Sequence, residues 1–382
     1  MEEASTAPAI SEDSRPAGQA RGILPAEAIR RLVEIGQVIT AGDLDRDQIQ
    51  PASLDLRLGR IAYRIRASFL PGPDRLVRDR LDQIALHEIN LTDGAVLETG
   101  CVYIVPLLEE LRLPAHLAAD ANPKSSTGRL DIFTRVIADK SHSFDKIEAG
   151  YHGPLYLEIS PRTFPILVRT GSRLSQIRFR HGVSILDDVE TLALHRAERL
   201  VDTDSPSISG GISVSVDLTG ADGLIGYRAK HHTAVVDVDR RGGYEIDDFW
   251  EAIRVRPSGE AAGSLILDPD EFYILASKEA VHVPPTYAAE MVPFDPLVGE
   301  FRVHYAGFFD PGFGHAAAGG HGARAVLEVR SRDVPFIIED GQIVGRLVYE
   351  RLTEQPDALY GTDIGSHYQA QGLKLSKHFR AG

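Results

Sequence analysis

Short runs of residues that alternate between apolar and polar, or are wholly apolar, recur along most of the chain. Clear examples are residues 53–58, 102–105, 155–159 and 176–179, and glycine, proline and aspartate residues separate them. A period of two between turn residues is typical of β-strands with one buried face. The pattern therefore predicts a mainly β protein.

One segment near the start has the period of a helix instead. It begins at Pro25, ends at Gly36, and places Ile29, Leu32 and Val33 on one helical face. Proline suits the first helical turn, and glycine suits the residue after the last turn. One short amphipathic helix is predicted here.

The chain also resembles itself at a single offset of 170 residues. The matching pairs are Leu97/Leu267, Tyr103/Tyr273, Ile104/Ile274, Glu109/Glu279, Pro114/Pro284, Ala118/Ala288, Ala119/Ala289, Pro123/Pro293, Leu157/Leu327, Glu158/Glu328, Pro165/Pro335 and Gly171/Gly341. Chance does not keep one register over so long a span, so two tandem β domains of similar topology are predicted.

These features divide the chain into five segments. Residues 1–20 are rich in Ala, Ser, Pro and acidic residues without an apolar period, so they are predicted to be a disordered tail. The two β domains are placed at 21–195 and 215–352, with a polar linker at 196–214. Residues 353–382 form a C-terminal tail.

Composition and charge narrow the possible functions. Of the 382 residues, 43% are hydrophobic and 25% are charged, as in an ordinary folded soluble protein. The net charge of −14 argues against a general nucleic-acid or anionic-membrane binder, so an anionic ligand needs a local basic pocket. Cys101 is the only cysteine, which excludes an intrachain disulfide and a multi-cysteine zinc site. The start has no secretory pattern and no apolar run reaches about 18 residues, so a cytoplasmic protein is expected.

Two places in the first domain carry candidate chemistry. Lys124, Ser125, Ser126 and Arg129 stand within one turn and form either a phosphate cradle or a plain polar loop, without the P-loop pattern. Glu158 lies in an apolar strand and is either a buried ion-pair member or a general acid/base with a raised pKa. The residues alone leave both alternatives open.

Several motifs, in this order, make the chain resemble the dCTP deaminase branch of the trimeric dUTPase-like superfamily. They are residues 51–59, 124–129, 148–153, 157–158 and 368–372. The resemblance is strong over about 50–180, weak in the second copy and short in the tail. It implies two tandem dUTPase-like domains of the β-barrel or jelly-roll type, with a short N-terminal helix and a mobile C-terminal tail. It also implies a homo-oligomer, a trimer in the family, with active sites between subunits.

The resemblance assigns roles to individual residues. Glu158 is expected to be the proton shuttle, acting on a water that the Ser125 hydroxyl and the Ala138 carbonyl position. Arg129 is expected near the cytosine base of the nucleotide. Glu148 is expected near the deoxyribose, at a position where the family usually has Asp. The residues expected to contact the nucleotide are Lys124, Ser126, Thr127, Gly128, Glu148, Tyr156, Leu157, Tyr360, His367, Tyr368 and Gln371.

The last four of these residues match the family's mobile lid. Such a lid excludes bulk water over the bound nucleotide. Truncation after Pro356 is therefore expected to leave the melting temperature nearly unchanged and to lower kcat/KM sharply.

The second copy departs from the pattern. Asp295, Pro296 and Gly299 stand where the first copy has two serines and an arginine, although Glu328 and residues 310–313 are retained. An acidic residue and a proline there would repel phosphates and remove an N–H. The second domain is therefore interpreted as a non-catalytic structural copy, with Glu328 as a buried ion-pair member.

Metals and basic side chains give weaker signals. No zinc is expected, and Mg²⁺ is expected to accompany the triphosphate. Four histidines in loops are interpreted as exposed polar residues, and four arginines on one strand pattern mostly as a solvated face. They are His231, His232, His315 and His321, and Arg169, Arg173, Arg178 and Arg180.

Three functions follow as hypotheses. The leading one is hydrolytic deamination of dCTP to dUTP and ammonia, which supplies dUMP for thymidylate synthesis, with dTTP as a feedback inhibitor. The second is a dUTPase or a bifunctional deaminase and diphosphatase, which would bind triphosphate in the same way. The third is a non-catalytic nucleotide-sensing or assembly module. No nucleic acid or membrane partner is expected.

Overall fold

The computed structural model describes residues 20–220, 222–255, 263–293, 301–303, 307–331, 333–361 and 372–380. We refer to residues 20–186 as the first half, 187–361 as the second half and 372–380 as the C-terminal segment. The strands of the first half are β1 (Gly22–Ile23), β2 (Val38–Thr40), β3 (Ile49–Gln50), β4 (Ser53–Arg57), β5 (Ile61–Ile65), β6 (Ala85–Asn90), β7 (Ala95–Leu97), β8 (Val102–Arg112), β9 (Leu117–Pro123), β10 (Ile132–Ala138), β11 (Lys146–Ile147), β12 (His152–Pro161), β13 (Ile166–Val168) and β14 (Arg173–His181). The strands of the second half are β15 (Ile212–Ser215), β16 (Leu224–Ala229), β17 (Val236–Asp237), β18 (Trp250–Arg254), β19 (Ser264–Leu267), β20 (Phe272–Val281), β21 (Tyr287–Pro293), β22 (Phe301–Val303), β23 (Phe308–Phe309), β24 (Ala323–Ser331), β25 (Phe336–Glu339) and β26 (Ile343–Arg351).

Helices are few and short, so the prediction of a mainly β protein is confirmed. They are α1 (Ala26–Glu34), α2 (Val77–Ile84), α3 (Ser125–Gly128), α4 (Asp188–Glu198), α5 (Ile246–Phe249) and a 3-10 turn at Ala316–Ala318. Helix α1 follows Pro25 and buries Ile29 and Leu32, as its periodicity predicts. Gly36 follows it with a φ of +72°, which a side chain disfavours. Among the helices of the described residues, none is long and apolar enough to span a membrane.

The two halves share one order of strands. In the first half the main sheets run β11-β9-β14-β4-β3 and β10-β12-β8-β5-β6. In the second half they run β15-β26-β21-β23 and β18-β16-β20-β24-β22. Strands β8, β9 and β14 begin 170 residues before β20, β21 and β26. The offset in the sequence therefore corresponds to equivalent strands in the fold.

Each half has its own core between its two main sheets. In the first half, Leu54 and Ile177 from one sheet meet Val105 and Leu157 from the other, all fully buried. In the second half, the core includes Val214, Leu275, Leu327 and Leu347. Alternation along each strand directs one face inward, which is why the period of two was informative.

The halves nevertheless interlock. Strand β17 of the second half pairs with β13 of the first, and Val236, Phe249 and Trp250 are buried in the first core. Leu200 and Val201, in the segment 196–214 predicted as a polar linker, are fully buried in the second core. That segment is therefore packed into the second half.

The C-terminal segment is also part of the fold. Leu375, Ser376, His378 and Phe379 are all buried, and Phe379 belongs to the first core. The sequence predicts a mobile tail over 353–382, whereas the apolar side chains of this segment pack against the first half. Lys377 therefore lies in a segment that packs against the rest of the fold.

Candidate functional site

A cavity of about 270 Å³ opens between the two halves. Its lining residues are Asp47, Gln50, Asp55, Pro123, Lys124, Ser125, Ser126, Arg129, Arg173 and Gln176 from the first half; Val238, Asp239, Arg241, Met291, Gly307, Phe308, Phe309, Asp310, Phe313, Val326, Glu328 and Tyr360 from the second; and Lys377 from the C-terminal segment. Most of these side chains are polar or charged, so the cavity suits a polar, charged ligand.

The loop that follows β9 forms one wall. Lys124 is extended, and the next residues turn into α3, with N–H groups of Thr127 and Gly128 donating to the Lys124 carbonyl at 2.8 and 3.0 Å. Lys124, Ser125 and Ser126 face the cavity, as predicted. Thr127 and Gly128 are buried and are not among the described lining residues. They shape the turn, and their expected contact with phosphate is not supported.

Arg129 lies at the end of this turn and is 3% exposed. Its Nη1 donates to the carbonyl of Lys374 at 2.8 Å, which fixes the guanidinium. Its Nε lies 4.0 Å from Oε1 of Glu328. The fixed guanidinium group of Arg129, from the first half, therefore lies beside a carboxylate of the second half.

Glu328 is the carboxylate that faces Arg129. It is carried by the central strand β24, next to β20, and it is 5% exposed. Burial raises the pKa of Glu328 to about 8, and the positive charge of Arg129 opposes that rise. A carboxyl group that titrates near neutral pH can both accept and donate a proton. Glu328 is buried and paired with Arg129, as expected, and it also lines the same cavity as Ser125, a position that the interpretation of the second domain as a non-catalytic copy did not include.

Asp310 is a second buried carboxylate of this cavity. Arg178, 1% exposed, donates from Nη2 to Asp310 Oδ1 at 3.1 Å and to the Phe309 carbonyl at 2.9 Å. Burial raises the pKa of Asp310, and Arg178 opposes the rise. Arg178 also lies 4.0 Å from the ring centre of Phe308. The solvated face predicted for most of the four arginines on this strand does not include Arg178, which is buried and contacts the second half.

Glu158 lies elsewhere in the chain. It is carried by β12, opposite Arg135 of β10, whose Nε and Nη2 donate to its Oε1 at 3.0 and 2.5 Å. Arg135 is itself held by Ser68 and lies 3.5 Å from the ring centre of Phe144. The carboxylate is therefore engaged in a local salt bridge, as in the structural alternative that the sequence left open.

Within the described part of the chain, Glu158 is not among the residues that line the cavity with Ser125. The face of β12 that carries Tyr156 packs against α2, with Val77 and Leu81 buried beside it. Glu158 and Ser125 therefore do not line one cavity in the described part of this chain.

The other residues predicted to act with Glu158 also lie in the first half and away from the cavity lining. Ala138 pairs with Leu155 at the end of β10, Tyr156 and Leu157 are buried in the first half, and Glu148 is exposed. None of them is among the cavity-lining residues that the structure describes. Their expected roles at the site stay predictions from the resemblance.

Some second-copy residues that correspond to these first-copy residues do line the cavity. Val326 and Glu328 correspond to Tyr156 and Glu158 at the 170-residue offset, and Asp310 stands in the motif that matches Glu148. The sequence contained a signal for this: the first copy keeps the serines and the arginine, and the second copy keeps the aspartate and the glutamate. The second copy lacks the serines and the arginine, whereas the first copy has Glu148 in place of the aspartate and keeps its own glutamate, Glu158.

Four basic side chains gather around the loop that carries Lys124. Lys124 and Arg173 both contact Asp55, Arg173 at 3.4 Å. Arg241 lies 3.7 Å from Asp47, and Lys377 completes the group. Sequence reasoning missed Arg241 and Lys377, which are distant in the chain. The group supplies the local basic pocket that an anionic ligand requires.

The predicted lid is only partly described. Tyr360 lines the cavity, its N–H donates to the Pro311 carbonyl at 2.8 Å, and its ring centre lies 5.7 Å from that of Phe313. The remaining predicted lid residues and the second-copy substitutions lie outside the described residues. They are His367, Tyr368 and Gln371, and Asp295, Pro296 and Gly299.

Within the described ranges, no group of three or more His, Cys, Asp or Glu side chains is placed to hold a metal ion. His231, His232 and His321 are exposed, and the Nδ1 of His315 accepts a hydrogen bond from the Ala317 N–H.

Comparisons with known proteins identify the family of the chain. A model of the 2′-deoxycytidine 5′-triphosphate deaminase (DCD) N-terminal domain matches residues 20–183, and the model of the C-terminal domain matches 187–379. A crystal structure of 2′-deoxycytidine 5′-triphosphate deaminase from Agrobacterium tumefaciens is 65% identical, with a TM-score of 0.86, covering 91% of this chain and 100% of that chain.

Shorter relatives match as well. A "dCTP deaminase, dUMP-forming" of Corynebacterium glutamicum is 33% identical over 152 residues, 38% of this chain and 76% of its own length. A "dCTP deaminase" of Natronomonas pharaonis is 31% identical over 159 residues, 40% of this chain and 77% of its own length. The resemblance predicted from the motifs is confirmed: the chain belongs to the 2′-deoxycytidine 5′-triphosphate deaminase family.

Proposed function

We propose that this protein deaminates dCTP hydrolytically to dUTP and ammonia in the cavity between its two halves. One observation carries the proposal: Ser125 and Arg129 of the first half meet Asp310 and Glu328 of the second half in one cavity. These are the residue types that the family pattern requires together. The proposed site is formed by both halves of a single chain.

Glu328 takes the role that the sequence assigned to Glu158. Its carboxylate removes a proton from a water, and the resulting hydroxide adds to C4 of the cytosine ring. The same carboxyl returns protons to the ring and to the departing amino group, so dCTP and water become dUTP and ammonia. The water would be held by the Ser125 hydroxyl, and Arg129 would stabilise the negative charge that develops as water adds.

The pKa of Glu328 fits both halves of this cycle. A group that titrates at about 8 is ionised in part near neutral pH and rebinds a proton readily. Desolvation produces this pKa, and Arg129 keeps the ionised form accessible. Asp310, held by Arg178, is proposed to accept a hydrogen bond from the deoxyribose hydroxyl.

The complementary losses support an internal duplication with one remaining site per chain. The first copy has Glu148 in place of the usual aspartate, and its Glu158 is bound by Arg135. A homo-oligomer, a trimer by resemblance to the family, is proposed for the assembly.

The phosphates are proposed to bind at Lys124 and Ser126, with Mg²⁺ entering as part of the substrate. Zinc is not proposed for water activation, because zinc deaminases require a cysteine pair and Cys101 is the only cysteine of the chain. A thymidine triphosphate shares the phosphate chain, and dTTP is proposed as an inhibitor at this cavity. A cytoplasmic location is proposed, in keeping with the single free thiol.

A second candidate is a bifunctional reaction that continues to dUMP and pyrophosphate. It is favoured by the Corynebacterium glutamicum relative, which carries the description "dUMP-forming". Incubation of the purified protein with Mg²⁺ and dCTP, followed by chromatography of the nucleotides, separates the candidates. Accumulation of dUTP supports the simple deaminase, and dUMP with pyrophosphate supports the bifunctional enzyme. Absence of both products contradicts an enzymatic function and supports a nucleotide-sensing module.

A further inference from the structure

A second buried ion pair joins the two halves beside Arg129 and Glu328. Asp131 follows Arg129 by two residues, at the end of the turn over residues 124–131, which we call the serine turn. Arg330 follows Glu328 by two residues on β24. Nη2 and Nε of Arg330 donate to Asp131 Oδ2 at 2.5 and 3.1 Å. Asp131 is fully buried and Arg330 is 9% exposed, so this pair crosses between the halves away from solvent.

Further hydrogen bonds hold both partners of this pair. Thr163 donates from Oγ1 to Asp131 Oδ2 at 2.5 Å, and Arg330 donates from Nη2 to Thr163 Oγ1 at 2.9 Å. Arg330 also donates from Nη1 to the Asp270 carbonyl. The N–H of Asp131 donates to the Gly128 carbonyl at 2.9 Å, within the serine turn. Side chains locked in this way can fix one backbone element against another.

The order of charges on the two elements favours one register between them. The serine turn carries a cation and then an anion, at Arg129 and Asp131. Strand β24 carries an anion and then a cation, at Glu328 and Arg330, and residues two apart on a strand point to the same face. A slip of one such step would set Asp131 beside Glu328, or Arg129 beside Arg330. Like charges placed together at an interface are unfavourable, whereas the observed register pairs opposite charges at both places.

The pair belongs to one combination of the two copies. At the 170-residue offset, Phe301 takes the place of Asp131, and Ser160 takes the place of Arg330. A turn of the second copy against a strand of the first copy would therefore lack both charges. The pair thus distinguishes between the two ways in which similar halves could meet, and it is present in the combination that joins Ser125 to Glu328.

We propose that Asp131 and Arg330 are the positioning pair of the site: they set the register of the serine turn against β24 and so place Glu328 opposite Arg129. Neither residue is among the described residues that line the cavity, so the pair acts through the side chains that it positions. The inference rests on the proposed function for the reaction at Glu328. The pair lies outside the motif positions to which the family resemblance assigns a role.

Loss of the pair should affect the chemical step more than nucleotide binding. A displacement of about 1 Å at a reacting group can cost about 100-fold in rate, because the carboxyl group and the water lose their alignment. We expect Asp131→Asn and Arg330→Met to lower kcat for dCTP about 10- to 100-fold and to keep KM within about threefold of wild type. Arg330→Lys keeps the positive charge and should recover part of the lost kcat.

Asp237→Asn is the matched control. Asp237 of the second half accepts hydrogen bonds from Nη1 and Nη2 of Arg169 of the first half, at 2.7 and 2.9 Å. It is also an aspartate in an ion pair between the halves, but it lies on β17 and not on the serine turn or β24. Asp237→Asn should keep kcat for dCTP near the wild-type value. A loss of kcat equal to that of Asp131→Asn would show that any weakened contact between the halves has this effect, and would overturn the proposal.

The double variant Asp131→Asn/Glu328→Gln shows whether the pair acts through Glu328. Its residual single-turnover rate should lie within about twofold of that of Glu328→Gln alone, because the group that the pair positions is already absent. A general structural effect of Asp131→Asn would instead multiply with the loss in Glu328→Gln. Multiplied losses would therefore contradict the positioning role.

Crystal structures of the variants measure the positioning directly. The distance from Arg129 Nε to Glu328 Oε1 is 4.0 Å in the wild-type chain. It should lengthen by about 1 Å or more in Asp131→Asn and should stay the same in Asp237→Asn. An unchanged distance in Asp131→Asn would overturn the proposal. If Arg330→Met does not fold, Asp131→Asn, which keeps the shape, and Arg330→Lys, which keeps the charge, decide.

The two proposals fail in different ways. A wild-type protein that releases no ammonia from dCTP contradicts the proposed function, and a lengthened distance in Asp131→Asn then leaves the positioning pair standing. Normal deamination by folded Asp131→Asn and Arg330→Met, beside an inactive Glu328→Gln, contradicts the positioning pair alone.

Discussion

Replacing Phe379 by alanine tests whether the C-terminal segment is an integral part of the fold. Phe379 is 5% exposed, and its ring centre lies 5.4 Å from Phe249, 5.9 Å from Trp250 and 6.4 Å from Tyr244. Removing a buried phenylalanine costs about 3–5 kcal/mol, from lost burial and the cavity left behind. At about 2 °C per kcal/mol for a large chain, the melting temperature should fall by about 6–10 °C.

The assay combines scanning calorimetry with steady-state kinetics on the same preparation. Phe379 stands two residues from Lys377, so kcat/KM for dCTP should fall even at temperatures where the variant is folded. Arg380→Ala is the matched control, because an exposed ion pair contributes at most about 1 kcal/mol. Wild-type melting of Phe379→Ala would refute the packing argument, and the sequence-based expectation of a loosely attached tail would stand.

Three further predictions concern the site. Burial raises the pKa of Glu328 from 4.5 to about 8. Between these pH values the folded state keeps a proton that the unfolded state loses. The free energy of unfolding therefore falls as the pH rises through this range, by at most about 1.4 kcal/mol per pH unit. Glu328→Gln should therefore melt higher than wild type at pH 7.5, with a gap that shrinks towards pH 5; equal melting curves at both pH values would contradict the burial of this carboxyl. Titration calorimetry of Glu328→Gln with dCTP should give one nucleotide per chain, because Arg135 occupies Glu158, and two per chain would show that the first copy also binds. A zinc-selective chelator should leave dCTP deamination intact when Mg²⁺ is supplied, whereas loss of activity restored by zinc would refute water activation by Glu328 alone.

Much of the fold could be predicted because its causes are local. The alternation at residues 53–58 and 155–159 reports strands with one buried face, and the structure has β4 and β12 there. The 170-residue offset reports equivalent strands in the two halves. The C-terminal segment could not be predicted in this way, because Phe379 is ordered by Phe249 and Trp250, more than a hundred residues away.

The sequence predicts one wall of the candidate site and not the other. The residues that share one local turn, Lys124 to Arg129, were found because they are neighbours in the sequence. The motifs along the chain assign the proton shuttle to Glu158, because Glu158 follows the serines in the same copy. The cavity instead joins the serines of the first copy to the carboxylates of the second. Lys377 carries no motif, and only the folded chain brings it to Lys124.

We propose that Glu328, and not Glu158, is the proton shuttle of the site that Ser125 and Arg129 complete. The direct test is single-turnover deamination of dCTP by Glu328→Gln and Glu158→Gln, with dCTP binding and melting temperature measured on both. Glu328→Gln should lose about 10²–10⁴-fold in rate while it binds dCTP within about tenfold of wild type. Folded Glu158→Gln should turn over dCTP at close to the wild-type rate. The opposite result, an inactive but folded Glu158→Gln beside an active Glu328→Gln, would contradict the account.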